Sequence, residues 1–293
     1  MKVVDITYRY TAGPETVRPE PIDPEAARLR LDSGNRAFAA LMDSLAAGND
    51  AAHCVIHVDA DDLGLMAEDR KAPQHTPFAA VLGCSDARVP IELIFNEGPN
   101  DLFVVRVAGN GLGSEVLGSL KYAADHLGDS MKLAVVLGHS CCGAVSAAVD
   151  VFLQPSRYLA YATDHALRGI LDRLLIVVQA SAKGLQESRG AEIAAHPRYR
   201  EALIEVSVGL NAALAAYTLQ QEIGRRGSSQ LRAVYGVYVL ENRRLWAPRA
   251  GGGEWSGLAD PPADFAAFGA LRDAFLQSER IGALFHEPAP AAR

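Results

Sequence analysis

The chain has 293 residues, 49% of them hydrophobic, which is enough to bury a sizeable core as one large domain with extensions. Its net charge of −7 argues against a nucleic-acid partner, which needs a basic face. No uninterrupted run approaches the roughly 20 apolar residues that span a bilayer, and the start Met1-Lys2-Val3-Val4-Asp5 lacks the features of a signal peptide, so a cytoplasmic, non-membrane protein with four reduced cysteines is expected.

Residues 1–22 carry Pro14, Pro19 and Pro21 with little apolar periodicity and read as an irregular N-terminal arm. Asp23-Pro24 predicts a helix start, with the aspartate as N-cap and the proline at the first helical position; the helix ends by Gly48. Phe78 to Gly83, Leu102 to Val107 and Leu133 to Leu137 are short apolar runs of the kind that form buried strands. Between the second and third, Ser114 to Leu127 reads as a helix, and a small-residue helix follows from Gly143. Residues 158–183 and 199–224 read as helices, the latter with Leu203, Val206, Leu210, Leu214 and Tyr217 at spacings of three or four. Leu231 to Leu240 predicts a late strand, Pro248 to Pro262 a loop, and about 263–283 a last helix. Strands alternating with helices imply an α/β fold: a central, mainly parallel β-sheet flanked by helices, preceded by an N-terminal helical arm.

Cys84 and His139 each fall just past a predicted strand, and Cys142 follows His139 at the start of a helix. In a parallel sheet, ligand sites form beyond the carboxyl ends of strands. Two thiolates and an imidazole suit zinc better than magnesium, calcium or manganese, and three protein ligands leave a fourth position open, as in catalytic sites. Cys141 abuts Cys142, and spacing alone allows either to ligate. Cys54 has no partner motif and reads as a packing residue. The other histidines, His53, His57, His75, His126, His165, His196 and His286, are scattered and read as surface or satisfied core residues. Asp86 and Arg88 follow Cys84 in an otherwise apolar region. Two apart, they point the same way in an extended segment, and the arginine keeps the carboxylate ionised and oriented.

Two rival motifs fail. A phosphatase-type nucleophilic cysteine needs an arginine six residues on, where Pro90 stands. A dinucleotide loop needs a third glycine where Ser114 follows Gly109-Asn110-Gly111-Leu112-Gly113, and the next strand ends in Gly138-His139 rather than an acidic residue.

Gly83-Cys84-Ser85-Asp86-Ala87-Arg88-Val89-Pro90, Asp101 to Asn110 and Gly138-His139-Ser140-Cys141-Cys142-Gly143 together resemble the β-class carbonic anhydrases, whose pattern is C-x-D-x-R followed by H-x-x-C-G. The similarity is strongest from about Gln74 to Val149 and weaker from Pro24 to about Leu240. Ala87 and Val107 depart from a common serine and asparagine, without removing a ligand. The resemblance selects Cys84, His139 and Cys142 as ligands of one zinc ion per chain, and Asp86 with Arg88 as the catalytic dyad. It matches Phe103, Tyr122 and Gln74 to the substrate pocket, Gln74 with one extra residue in the spacing. Val81 stands where an allosteric branch carries a tryptophan, which implies no non-catalytic bicarbonate site.

The implied activity is reversible hydration of carbon dioxide to bicarbonate and a proton by zinc-bound hydroxide, oriented by the dyad. Hydrolysis of carbonyl sulfide or carbon disulfide is the alternative at the same site, and a non-catalytic zinc-stabilised module is the reading from another class. The resemblance also implies a homodimer or homotetramer. The expected division is an arm over 1–22, a zinc-containing α/β catalytic domain over 23–245, and a C-terminal extension of loop plus helix over 246–293.

Overall fold

Two local signals start the first helix. Asp23 sits in extended backbone and its carboxylate accepts the Ala26 N–H at 2.7 Å, while Pro24 fills the first turn. A computed structural model gives this helix, α1, as Pro24–Ala46, and describes residues 2–12, 18–48, 50–65, 72–161, 163–223, 231–248 and 257–286.

Strand β1 (Val3–Thr11) precedes α1 and β2 (Ala51–Asp59) follows it, and the two pair in parallel from Val3 opposite Ala51 to Thr11 opposite Asp59. The irregular arm expected over 1–22 is therefore corrected: its first part is a strand. Val4, Ile6 and Tyr8 are more buried than Asp5, Thr7 and Arg9, an alternation of period two. The partner strand lies beyond α1, so no local signal marked the pairing. Pro14 lies outside the described residues.

The chain then forms β3 (Ala79–Gly83), α2 (Ile91–Ile94), β4 (Leu102–Arg106), α3 (Ser114–His126), β5 (Leu133–His139) and α4 (Gly143–Leu153). It continues with α5 (His165–Arg189), α6 (Tyr199–Ile223), β6 (Arg232–Tyr238), β7 (Leu245–Trp246), α7 (Phe265–Gln277) and α8 (Glu279–His286). The main sheet has the order β4-β3-β5-β6-β7; the first four strands are parallel and β7 is antiparallel to β6. The expected α/β class with a mainly parallel sheet is what forms.

Two predicted helices differ in extent. The helix read over 158–183 is a 3-10 turn over Pro155–Tyr161 followed by α5, because Asp164 caps a fresh start by accepting the Leu167 N–H at 3.0 Å. The last helix breaks at Ser278, whose backbone is extended and whose hydroxyl donates to the Phe275 carbonyl at 2.7 Å. The glycines Gly251 to Gly253 lie outside the described residues; farther on, Ala259 bridges Tyr235 beside β6.

Alternate strand residues feed two cores. Ala79 and Val81 of β3 meet Leu31 of α1 and Ile91 of α2, while Ala80 and Leu82 face the layer built by α3 to α8. At Gly34 in α1 a Cβ would sit 1.8 Å from the Phe95 carbonyl oxygen, so only glycine lets the helix lie this close to the loop after α2. Helix α6 is long and apolar enough on average to cross a membrane, but 83% of its most apolar stretch is buried inside the fold, which makes it the core helix here.

Helix α1 also carries buried polar groups. Asn35 donates to the carbonyls of Ile94 and Arg243 and accepts the Leu245 N–H, and Asp32 accepts the Leu258 N–H at 2.8 Å. Burial pushes the Asp32 carboxyl up to about 6 against the pull of that N–H and of Arg28. Its folded pKa therefore exceeds its unfolded one, so ionisation costs stability as pH rises from about 4 to 6. Relative to Asp32→Asn, the native chain should lose up to about 3 kcal/mol of unfolding free energy between pH 4 and pH 7, read by urea denaturation of both at each pH.

Candidate metal centre

The carboxyl ends of β3, β4 and β5 lie side by side. Gly83 pairs with Arg106 on one flank and with Leu137 on the other. Cys84 leaves the sheet there, and His139 is itself the last residue of β5, two residues later than the predicted strand end. Cys142 occupies the N-cap of α4, where the helix dipole favours a thiolate. The two sulfurs and one imidazole nitrogen all lie within 4.8 Å of one another, and all three residues are buried.

The donors suit a metal. His139 Nδ1 lies 2.9 Å from the Ser140 carbonyl, an acceptor only, so Nδ1 carries the proton and Nε2 presents a bare lone pair. That Nε2 is buried and has no hydrogen-bond partner among the described residues. An orphaned buried nitrogen beside two thiols is costly unless a cation takes the lone pair. The Cys84 thiol is drawn well down, chiefly by a hydrogen bond from Cys142, with the N–H groups of Asp86 and Gly109 adding to it against the cost of burial. The Cys142 thiol is pushed up, because it keeps the proton it shares with Cys84 and is deeply buried.

Asp86 and Arg88 meet through a turn rather than along an extended segment, which corrects the geometry expected for them: the Val89 N–H bonds the Asp86 carbonyl at 3.1 Å. Asp86 Oδ1 accepts the Arg88 backbone N–H at 2.9 Å and its Nε at 3.0 Å, and Oδ2 accepts Nη2 at 2.7 Å. Arg88 holds the Asp86 carboxyl well below the usual carboxylate range. Oδ2 also lies 3.9 Å from His139 Nε2, so the carboxylate faces the cluster without bonding to it.

The outlying residues sort themselves. Cys141 is exposed and takes no part in the cluster, and the Cys54 thiol donates to Asn96 at 3.3 Å. Phe103 is half-buried against the helical core, with its ring 5.9 Å from that of His75. Tyr122 is 54% exposed and stacks on His126 at 4.3 Å. Gln74 is exposed, and its carbonyl accepts from Asn100 at 3.0 Å. Among the described residues, no hydrogen bond or ring contact joins these three to the cluster.

Sequence reasoning missed the residues that hold the loops. Arg106 donates from Nε to the Cys84 carbonyl at 2.9 Å and from Nη2 to the Asp86 carbonyl at 2.5 Å. Its one local signal was a charge ending an apolar strand. Gly109 donates its N–H to Cys84 Sγ at 3.4 Å, and its carbonyl accepts from Asn211 of α6 at 2.8 Å.

A family model described as carbonic anhydrase matches residues 79–241, more than half of the chain. Carbonic anhydrase 2 of Mycobacterium tuberculosis is 52% identical over 73 residues, covering 25% of this chain and 34% of that protein. The carbonic anhydrase of Mycolicibacterium smegmatis is 49% identical over 74 residues, covering 25% and 35%. The aligned part thus spans about a third of the length of these curated relatives. Among solved structures, the β-carbonic anhydrase CafA of Aspergillus fumigatus shares 21% identity over 86% of this chain and 99% of its own, with a TM-score of 0.44. The chain belongs to the carbonic anhydrase family, and the resemblance to its β class read from the sequence stands.

Gly109 has a left-handed backbone (φ 67°), and a Cβ there would meet Ala144 at 3.1 Å and Leu174 at 3.2 Å. Gly109→Ala should cost about 2 kcal/mol of stability in chemical denaturation. Gly111→Ala, two residues on at φ −71° with nothing closer than 3.9 Å, should change it by less than about 1 kcal/mol.

Proposed function

We propose that this chain catalyses the reversible hydration of carbon dioxide to bicarbonate, with one zinc ion held by Cys84, His139 and Cys142. The observation that carries the reading is the buried, mutually close ligand set with the bare His139 Nε2, beside a carboxylate locked by an arginine. Zinc bound there lowers the pKa of a coordinated water to about 7 and so supplies a nucleophile near neutral pH.

The chain's own groups do the rest. Asp86, ionised and pinned by Arg88, accepts a hydrogen bond from the attacking oxygen and so aims a lone pair at the substrate carbon. Arg88 is exposed, and an exposed pair adds little stability, so its contribution lies in orientation. Arg106 fixes the carbonyls on either side of Ser85 and keeps the dyad loop registered against Cys84. Phe103, Tyr122 and Gln74 would line the pocket for a linear apolar substrate. In a single chain Tyr122 faces outward, which supports assembly as a homodimer or a multiple of it, with a second copy closing the pocket. Four free thiols suit a reducing compartment such as the cytoplasm.

Metal analysis should give about one zinc per chain, and stopped-flow assays should show fast, pH-dependent hydration. Asp86→Asn should retain zinc and lose about 10- to 100-fold in turnover; unchanged turnover would refute the role of Asp86. Zinc without hydration at any pH would shift the substrate to carbonyl sulfide or carbon disulfide. Absence of zinc would overturn the reading. Removing the metal with a chelator should lower the thermal midpoint, because the ion ties the loop after β3 to the turn between β5 and α4.

A further inference from the structure

Ser140 and Cys141 lie between the ligands His139 and Cys142, and each is held by a carboxylate. The Ser140 hydroxyl donates to Glu241 at 3.1 Å, and the Cys141 N–H donates to Glu205 Oε1 at 2.9 Å. Cys141 has a left-handed backbone (φ 55°), a conformation that costs a non-glycine residue about 1 kcal/mol or more and persists only where its surroundings fix it. Arg280 of α8 gathers both carboxylates. Its Nε and Nη2 reach Glu205 Oε2 at 3.0 and 2.8 Å, and Nη2 reaches the two oxygens of Glu241 at 3.3 and 3.4 Å. The guanidinium also lies over the Trp246 ring, 5.8 Å from its centroid.

Stability alone is a weak reason for this arrangement. A buried ion pair roughly breaks even against well-packed apolar residues. What the network does supply is a fixed place for two successive residues, Ser140 and Cys141, that lie between two ligands. A guanidinium fork can bind two carboxylates at once, which a lysine ammonium does poorly.

We infer that Arg280 is a positioning residue for the metal centre: it locks Glu205 and Glu241, these lock the Ser140–Cys141 turn, and the turn sets His139 Nε2 relative to Cys142 Sγ. The inference rests on the reading of Cys84, His139 and Cys142 as a metal site. It assigns a task to the C-terminal extension, which the family match over 79–241 leaves out.

The test compares three variants of the full chain. Arg280→Gln removes the fork, Arg280→Lys keeps only the charge, and Ile281→Ala loosens the same helix at a fully buried apolar residue whose side chain can hydrogen-bond neither carboxylate. Zinc affinity is measured by competition with a chromogenic chelator, and coordination geometry by the absorption spectrum of the cobalt-loaded protein. Arg280→Gln should weaken zinc binding about 10-fold or more and shift the cobalt bands. Arg280→Lys should fall between it and the native chain, and it serves alone if the glutamine variant does not fold. Ile281→Ala should lower thermal stability while leaving affinity and spectrum near native. Native affinity and spectrum in both Arg280 variants would overturn the inference, as would equal losses in Ile281→Ala. None of these readouts is turnover, so a chain that binds zinc in this pattern without hydrating carbon dioxide would defeat the proposed reaction and leave the role of Arg280 standing.

Discussion

The candidate metal centre depends on parallel strands ending in register. Because β3 is flanked on both sides by strands running its own way, the segments that leave β3, β4 and β5 emerge at one edge of the sheet. Parallel connection carries each return path over a face of the sheet, so the loops that leave these three strands stay side by side. Cys84 and His139 become neighbours through backbone hydrogen bonding alone, before any side chain chooses a partner. A slip of one residue in β5 would turn His139 to the opposite face, and the alternation of Leu133, Val135 and Leu137 against Ala134 and Val136 between two cores forbids such a slip.

Short loops at such an edge would ordinarily be the softest part of the fold. Here their carbonyls and N–H groups are taken up one by one: by Arg106 at Cys84 and Asp86, by Asn211 at Gly109, by Glu205 at Cys141. Two of these holders, Asn211 and Glu205, come from α6, which is buried along nearly its whole length and so cannot shift without disturbing the core. Rigidity at the centre is borrowed from the best-packed helix of the molecule.

The clustering of Cys84, His139 and Cys142 was legible because metal chemistry restricts residue types, and the sheet edge restricts where they stand. Asp86 and Arg88 were legible as a pair, but their geometry was not: a turn, not an extended segment, joins them. Most strands of the main sheet were legible as apolar runs. The β1–β2 pair escaped although Val4, Ile6 and Tyr8 alternate with Asp5, Thr7 and Arg9: the prolines farther along the arm outweighed that signal, and the partner strand lies across a helix. Arg106, Glu205 and Arg280 escaped for a related reason. Each acts through a hydrogen bond to chain far away in sequence, and a charged residue gives no local sign of which distant group it will meet.

The pairing of β5 with β6 has a consequence for how the chain reaches this state. Leu133 pairs with Arg232, almost a hundred positions later, with α4, α5 and α6 folded in between. Such a pairing carries a large loop-closure cost and tends to close later than the local contacts of the intervening helices. Until then β5, an apolar strand buried on both faces in the finished molecule, has one open edge able to template foreign strands. The interval between completion of the β3–β5 half and arrival of β6 is therefore one in which a nascent chain is exposed to aggregation. A cation captured early by Cys84, His139 and Cys142 would shorten that interval by fixing the β3–β5 edge onto which β6 must dock.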